Sequence, residues 1–171
     1  GEKGAGKTEC AISFLQFFGH MDAGVQINNT TLPGLSDHVA QVSNALVHID
    51  EYRNDLFVEK IEFLKGLWNA VGRTRKNMDM GKKNEQTAVD AGVILTGQHM
   101  PTADVALYSR VIFLTFDQTE YTREEKARFA ELKRMEKQGW THITNQILKL
   151  RSQFLEKFGD TYKKVSTDLD K

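Results

Sequence analysis

The residues best suited to chemistry open the chain. Gly1-Glu2-Lys3-Gly4-Ala5-Gly6-Lys7-Thr8 fits the spacing G-x-x-x-x-G-K-[ST] at every position. Glycines let backbone N–H groups turn inward and approach oxyanions with no Cβ in the way. Gly1, Gly4, Ala5 and Gly6 would form such a cradle. A helix starting at Lys7 would add its positive dipole end. Lys7 would reach the β- and γ-phosphates of a nucleotide, and the Thr8 hydroxyl would be a Mg²⁺ ligand. The cofactors this pattern asks for are ATP and Mg²⁺.

A second group follows in Ala45-Leu46-Val47-His48-Ile49-Asp50-Glu51. A short apolar run suits a buried parallel strand, and its carboxylates would emerge where open α/β sheets bind ligands. Asp50 would hold Mg²⁺, directly or through water. Glu51 would polarise the attacking water as general base. Gln98 follows another apolar run, 93–96. On a neighbouring strand its amide would orient the water or sense the γ-phosphate, with Thr96 a weaker candidate for that role. Arg110 stands directly before the apolar run 111–116. A guanidinium there would stabilise charge on the transferring phosphoryl group, often from a neighbouring subunit. His48 reads as a core histidine and Cys10 as a buried thiol. No Cys/His set has zinc spacing.

Arg73, Arg75, Lys76, Lys82 and Lys83 are crowded into one polar segment with only Asp79 opposing them. Such a segment can follow a phosphate backbone with salt-sensitive affinity. Aromatic interleaving is absent, so base stacking is not indicated.

The bulk composition frames these motifs. With 171 residues, 40% hydrophobic and 27% charged, the chain can bury a sizeable core and is not a disordered one. Its net charge of zero means that any nucleic-acid contact must come from a local patch. A single cysteine rules out an internal disulfide framework and fits a cytoplasmic setting. No apolar run approaches the roughly 18 residues of a membrane span, and no signal peptide is visible.

The positioning elements are read from periodicity. Helices are expected over 7–18, 36–43 and 56–71, strands over 24–28, 45–49, 93–96 and 111–116, and a turn over 30–34. In 56–71 the apolar stripe is Phe57, Ile61, Leu64, Trp68 and Val71. Thr122 and Glu125 form a capping box for a charged helix, which Gly139 breaks. An amphipathic helix follows on Trp140, Ile143, Ile147, Leu150, Phe154 and Phe158. The expected fold is α/β: a three-layer core with a parallel central sheet over 1–118, a C-terminal helical appendage over 119–158, and a flexible tail over 159–171. The strand that normally precedes such a phosphate loop is missing, so the chain reads as a truncated fragment.

This order of elements resembles the superfamily 3 helicases and related primase-associated P-loop (AAA+-like) ATPases of viruses, plasmids and mobile elements. The likeness rests on Gly-Glu-Lys-Gly-Ala-Gly-Lys-Thr, Leu-Val-His-Ile-Asp-Glu, Val-Ile-Leu-Thr-Gly-Gln and Ser-Arg-Val-Ile-Phe-Leu-Thr-Phe, which lie within residues 1–116. It implies a P-loop NTPase fold and an ATP-driven replicative helicase that works on single-stranded DNA as a homo-oligomer, such as a hexameric ring. Gln98 occupies the sensor place, where the family usually has Asn. Arg110 matches the intersubunit arginine. The family's DNA-contacting β-hairpin falls in the interval of the basic segment. Two other readings stand beside it: a P-loop ATPase acting on protein partners, and a nucleotide-binding assembly module that is inactive as an isolated fragment.

Overall fold

The computed structural model describes residues 5–20, 24–75, 85–117 and 121–169. Among these residues the elements in order are α1 (Lys7–Gln16), β1 (Val25–Gln26), α2 (Leu32–Ala40), β2 (Ser43–Tyr52), α3 (Val58–Trp68), β3 (Val71–Arg75), β4 (Glu85–Ala88), β5 (Asp90–Gly97), α4 (Val105–Tyr108), α5 (Arg123–Glu136), α6 (Thr141–Leu148) and α7 (Arg151–Leu169). Strands β1, β2 and β5 form an open sheet in that order. Both pairings are parallel, with Val25 beside Ile49 and Val47 beside Val93. Parallel neighbours need crossovers, and α2 and α3 provide them. The chain is thus an α/β fold with a three-stranded parallel open sheet.

The core lies where the apolar centre of β2 meets the crossover helices. Val47, Ile49 and Tyr52 pack with Ile27, Leu35, Val39, Phe63, Leu64 and Leu107. β5 approaches β2 so closely that a Cβ on Gly97 would lie 2.4 Å from the Tyr52 carbonyl oxygen. Glycine is therefore required at the carboxyl end of β5.

Several local expectations shift. The Pro33-Gly34 pair does not mark a turn. Thr31 caps α2, its hydroxyl accepting from the Gly34 N–H at 3.3 Å, and proline in the first helical turn loses no hydrogen bond. The inward face of α3 is carried by Phe63 and Leu64, with Ile61 and Leu67 partly buried, whereas Phe57 and Trp68 are exposed. Val71 has left the helix, because Ala70 turns into a left-handed conformation (φ 54°) and starts β3.

The apolar run 111–116 is not a strand. Val111 packs against the core and Phe113 stacks on Tyr108 at 4.8 Å, while Ile112 is 97% exposed. The pleat-like alternation is there, but among the described residues no strand lies alongside to complete a ladder.

The basic segment is anchored by strands. β3 and β4 pair antiparallel, with Thr74 opposite Gln86 and Arg75 opposite Glu85. Backbone positions of Arg73 and Arg75 therefore lie on this ribbon, and Lys76, Lys82 and Lys83 lie outside the described residues.

The C-terminal helices begin against α1. The Thr122/Glu125 capping box forms as expected. Lys133 pairs with both Glu9 and the buried Glu136, and the Ser13 hydroxyl donates to Glu136 at 2.5 Å. Phe17 and Trp140 rings meet at 4.9 Å. The expected single helix over 140–158 is two, α6 and α7, and the expected flexible tail is helical as far as Leu169. Among the described residues no helix is long and apolar enough to cross a membrane.

Candidate functional site

Gly6 is the N-cap of α1 with φ 84°, a left-handed conformation that glycine adopts without strain. It turns the chain so that the helix starts at Lys7, with its first N–H groups at the free end. At the carboxyl end of β2 the register shifts between Ile49 and Tyr52. The residue responsible is Glu51, whose φ of 64° is costly for a residue with a Cβ. Two contacts hold this bulge. The Glu51 N–H donates to Asp50 Oδ1 at 2.7 Å, and the Asn28 side-chain amide donates to the Glu51 carbonyl at 3.1 Å.

These two chain segments and the end of β5 enclose one cleft of about 530 Å³. Ala5, Gly6, Lys7 and Thr8 line it from the start of α1, Asp50 and Glu51 from β2, and Gln98 from the turn after β5. The expected nucleotide-site residues that are described are therefore brought together, except Arg110 and the weaker candidate Thr96. Arg110 follows α4 and is not among the residues lining the cleft; its guanidinium donates to the Ala106 carbonyl at 2.8 Å. Gly1 and Gly4 lie outside the described residues.

Asp50 is oriented from behind by a buried chain. The Thr96 hydroxyl donates to Asp50 Oδ1 at 2.5 Å, and Thr96 Oγ1 lies 2.7 Å from His48 Nε2. The hydroxyl has one proton. With that proton given to Asp50, Thr96 must accept from His48, which places the imidazole proton on Nε2. His48 and Thr96 are both buried. Hence His48 is a core histidine, as expected, but its partner is the group that aims the carboxylate. Thr96→Val keeps the shape and leaves a buried N–H without its acceptor. It should cost about 1–3 kcal/mol of stability, whereas Thr96→Ser should cost far less. Urea unfolding of the two variants measures the difference.

The cleft also contains residues that sequence reasoning passed over. Arg53 and His99 line it. Arg53 pairs with Asp55 at 3.2 Å, and His99 Nδ1 accepts from the Asn54 N–H at 3.3 Å. Tyr52 lines it too, and burial followed by the charge of Asp104 pushes its phenol up, so it stays neutral near pH 7. The signal for Arg53 was its position two residues after Glu51, just beyond the end of a strand that outlasts Asp50. Nothing local marked His99.

The oxygen donors suit a hard divalent cation. Thr8 offers a hydroxyl and Asp50 a carboxylate, and Mg²⁺ takes only one or two protein ligands when phosphates and water fill the rest. Among the described residues no group of three His, Cys, Asp or Glu is arranged to hold a metal ion. No protein-family model, curated protein or solved structure matches the chain.

Proposed function

We propose that the chain is the nucleotide-binding core of an ATP-hydrolysing P-loop motor that acts on single-stranded DNA. One observation carries this reading: the Gly6-Lys7-Thr8 helix start and the Asp50-Glu51 bulge share a single cleft with Gln98. The start of α1 would receive the phosphates, with Lys7 on their outer oxygens. Mg²⁺ held between Thr8 and Asp50 would neutralise phosphate charge. Glu51 would take a proton from water, and Gln98 would orient that water. Because Arg110 is not in its own chain's cleft, it suits service to a neighbouring subunit in a homo-oligomer.

The DNA half of the reading rests on charge and on the ribbon. β3, which carries Arg73 and Arg75, pairs with β4, and the segment's cations would meet the DNA phosphates. Such contacts add about 0.7 each to the salt slope on single strands. Phosphate release by the whole chain, with and without single-stranded DNA, tests both halves. Neutralising Arg75, Lys76, Lys82 and Lys83 together should reduce the salt slope of DNA affinity by about 3 and remove stimulation by DNA. Unchanged affinity and slope would reject DNA as the substrate, and absence of phosphate release in any condition would reject hydrolysis by this chain.

A further inference from the structure

α7 has 19 residues and none is buried. Phe154 and Leu155 are each 65% exposed, and Phe158, Tyr162, Val165 and Leu169 are exposed as well. The rings of Phe158 and Tyr162 stack along the helix at 6.1 Å. An open groove of about 450 Å³ runs beside them. A helix of this kind does not stand alone in water. Its sequence includes Gly159, which costs about 1 kcal/mol relative to alanine, and helices draw most of their stability from packing an apolar face.

The spacing says what kind of partner fits. Leu155, Phe158, Tyr162, Val165 and Leu169 step by three, four, three and four, the repeat of a helix-pair seam. The positions flanking that seam are Ser152, Gly159 and Ser166 on one side and Phe154, Thr161 and Asp168 on the other. Almost all are small or uncharged. Glu156, Lys157, Asp160, Lys163 and Lys164 project from the opposite side of the helix. The mixture of signs there gives little attraction to an anionic surface.

We infer that α7 pairs antiparallel with α7 of a second copy of this chain. Direction follows from Arg151, which continues the seam at its N-terminal end. A parallel pair would set Arg151 against its own twin. An antiparallel pair centred on Asp160 instead sets Arg151 beside Leu169 and Asp168 of the second copy. It also sets Leu155 opposite Val165, and Phe158 opposite Tyr162. Gly159 then lies one residue from the two-fold axis, level with Thr161 of the second copy and near its own twin on the flank of the seam. Within one chain this glycine has no packing reason, because a Cβ there would meet nothing within 4 Å. Close approach of another helix supplies the reason. The pairing uses none of the cleft residues and does not depend on the proposed activity.

Sedimentation of the whole chain across a concentration series tests this. A dimer–monomer equilibrium is expected, and Phe158→Glu should weaken it by about 30-fold or more. Gly159→Leu is the sharper variant. It improves helix propensity, so it would leave a monomeric helix intact or more stable, but it should also break the dimer. Leu155→Cys and Val165→Cys chains, each in a Cys10→Ser background, should form a disulfide when mixed and neither should form one alone. A chain that stays monomeric at every concentration overturns the inference. So does a dimer that Phe158→Glu and Gly159→Leu leave untouched, or a monomer that instead binds lipid vesicles. Cross-linking of Leu155→Cys with itself would overturn the antiparallel direction.

Discussion

Lys7→Ala is expected to weaken ATP binding on the order of 10²-fold to 10³-fold, the scale for deleting one partner of a charge-assisted contact in a shielded site. The reason lies in the cleft. Lys7 is the first residue of α1, and it faces a space whose other wall carries Asp50 and Glu51. Without its ammonium group the cleft keeps the carboxylates of Glu9, Asp50 and Glu51 against Arg53, which already pairs with Asp55, so a polyphosphate meets net repulsion. Lys149→Ala, on an exposed position of the C-terminal region, is the control and should bind as the parent does. Calorimetric titration with ATP and Mg²⁺ measures both. Equal affinity in the Lys7→Ala and parent chains would remove the basis for the nucleotide reading.

Glu51→Gln should behave in the opposite way. Nucleotide affinity should stay within a few-fold, while turnover falls by about 10²-fold to 10⁴-fold, the usual contribution of a positioned general base. The amide preserves the shape and removes the proton acceptor. A companion variant separates chemistry from strain. Glu51 is held at φ 64°, so Glu51→Gly should relieve roughly 1 kcal/mol of backbone strain, partly offset by the greater freedom of glycine in the unfolded chain. The expected outcome is a protein at least as stable as the parent and devoid of turnover. Thermal unfolding and single-turnover phosphate release give the two readouts. Full turnover in Glu51→Gln would transfer the base role to another group.

This trade of stability for geometry marks the boundary between local and tertiary information. The left-handed residue at position 6 was legible because glycine is the residue that adopts it freely. The left-handed residue at position 51 was not, because nothing about glutamate announces it. It exists because β2 must pair on both sides while shifting register beside β5, and because Asn28, from the loop after β1, holds the displaced carbonyl.

The same distinction runs through the rest of the molecule. Residue order alone determined the helix start at Lys7, the strand that carries Asp50, the capping box at Thr122 and the interruption at Gly139. Each is a signal contained within one or two turns of chain, where hydrogen-bond geometry and φ preferences act directly. Only the tertiary structure decided that Thr96 and His48 aim Asp50, that Arg53 and His99 share the cleft, that α3 turns Phe63 rather than Phe57 inward, and that 111–116 remains outside the sheet. Those outcomes depend on which backbone comes alongside which. Parallel pairing and helix packing join residues far apart in the chain, and an apolar run has the same composition whether or not a neighbour arrives to complete its ladder.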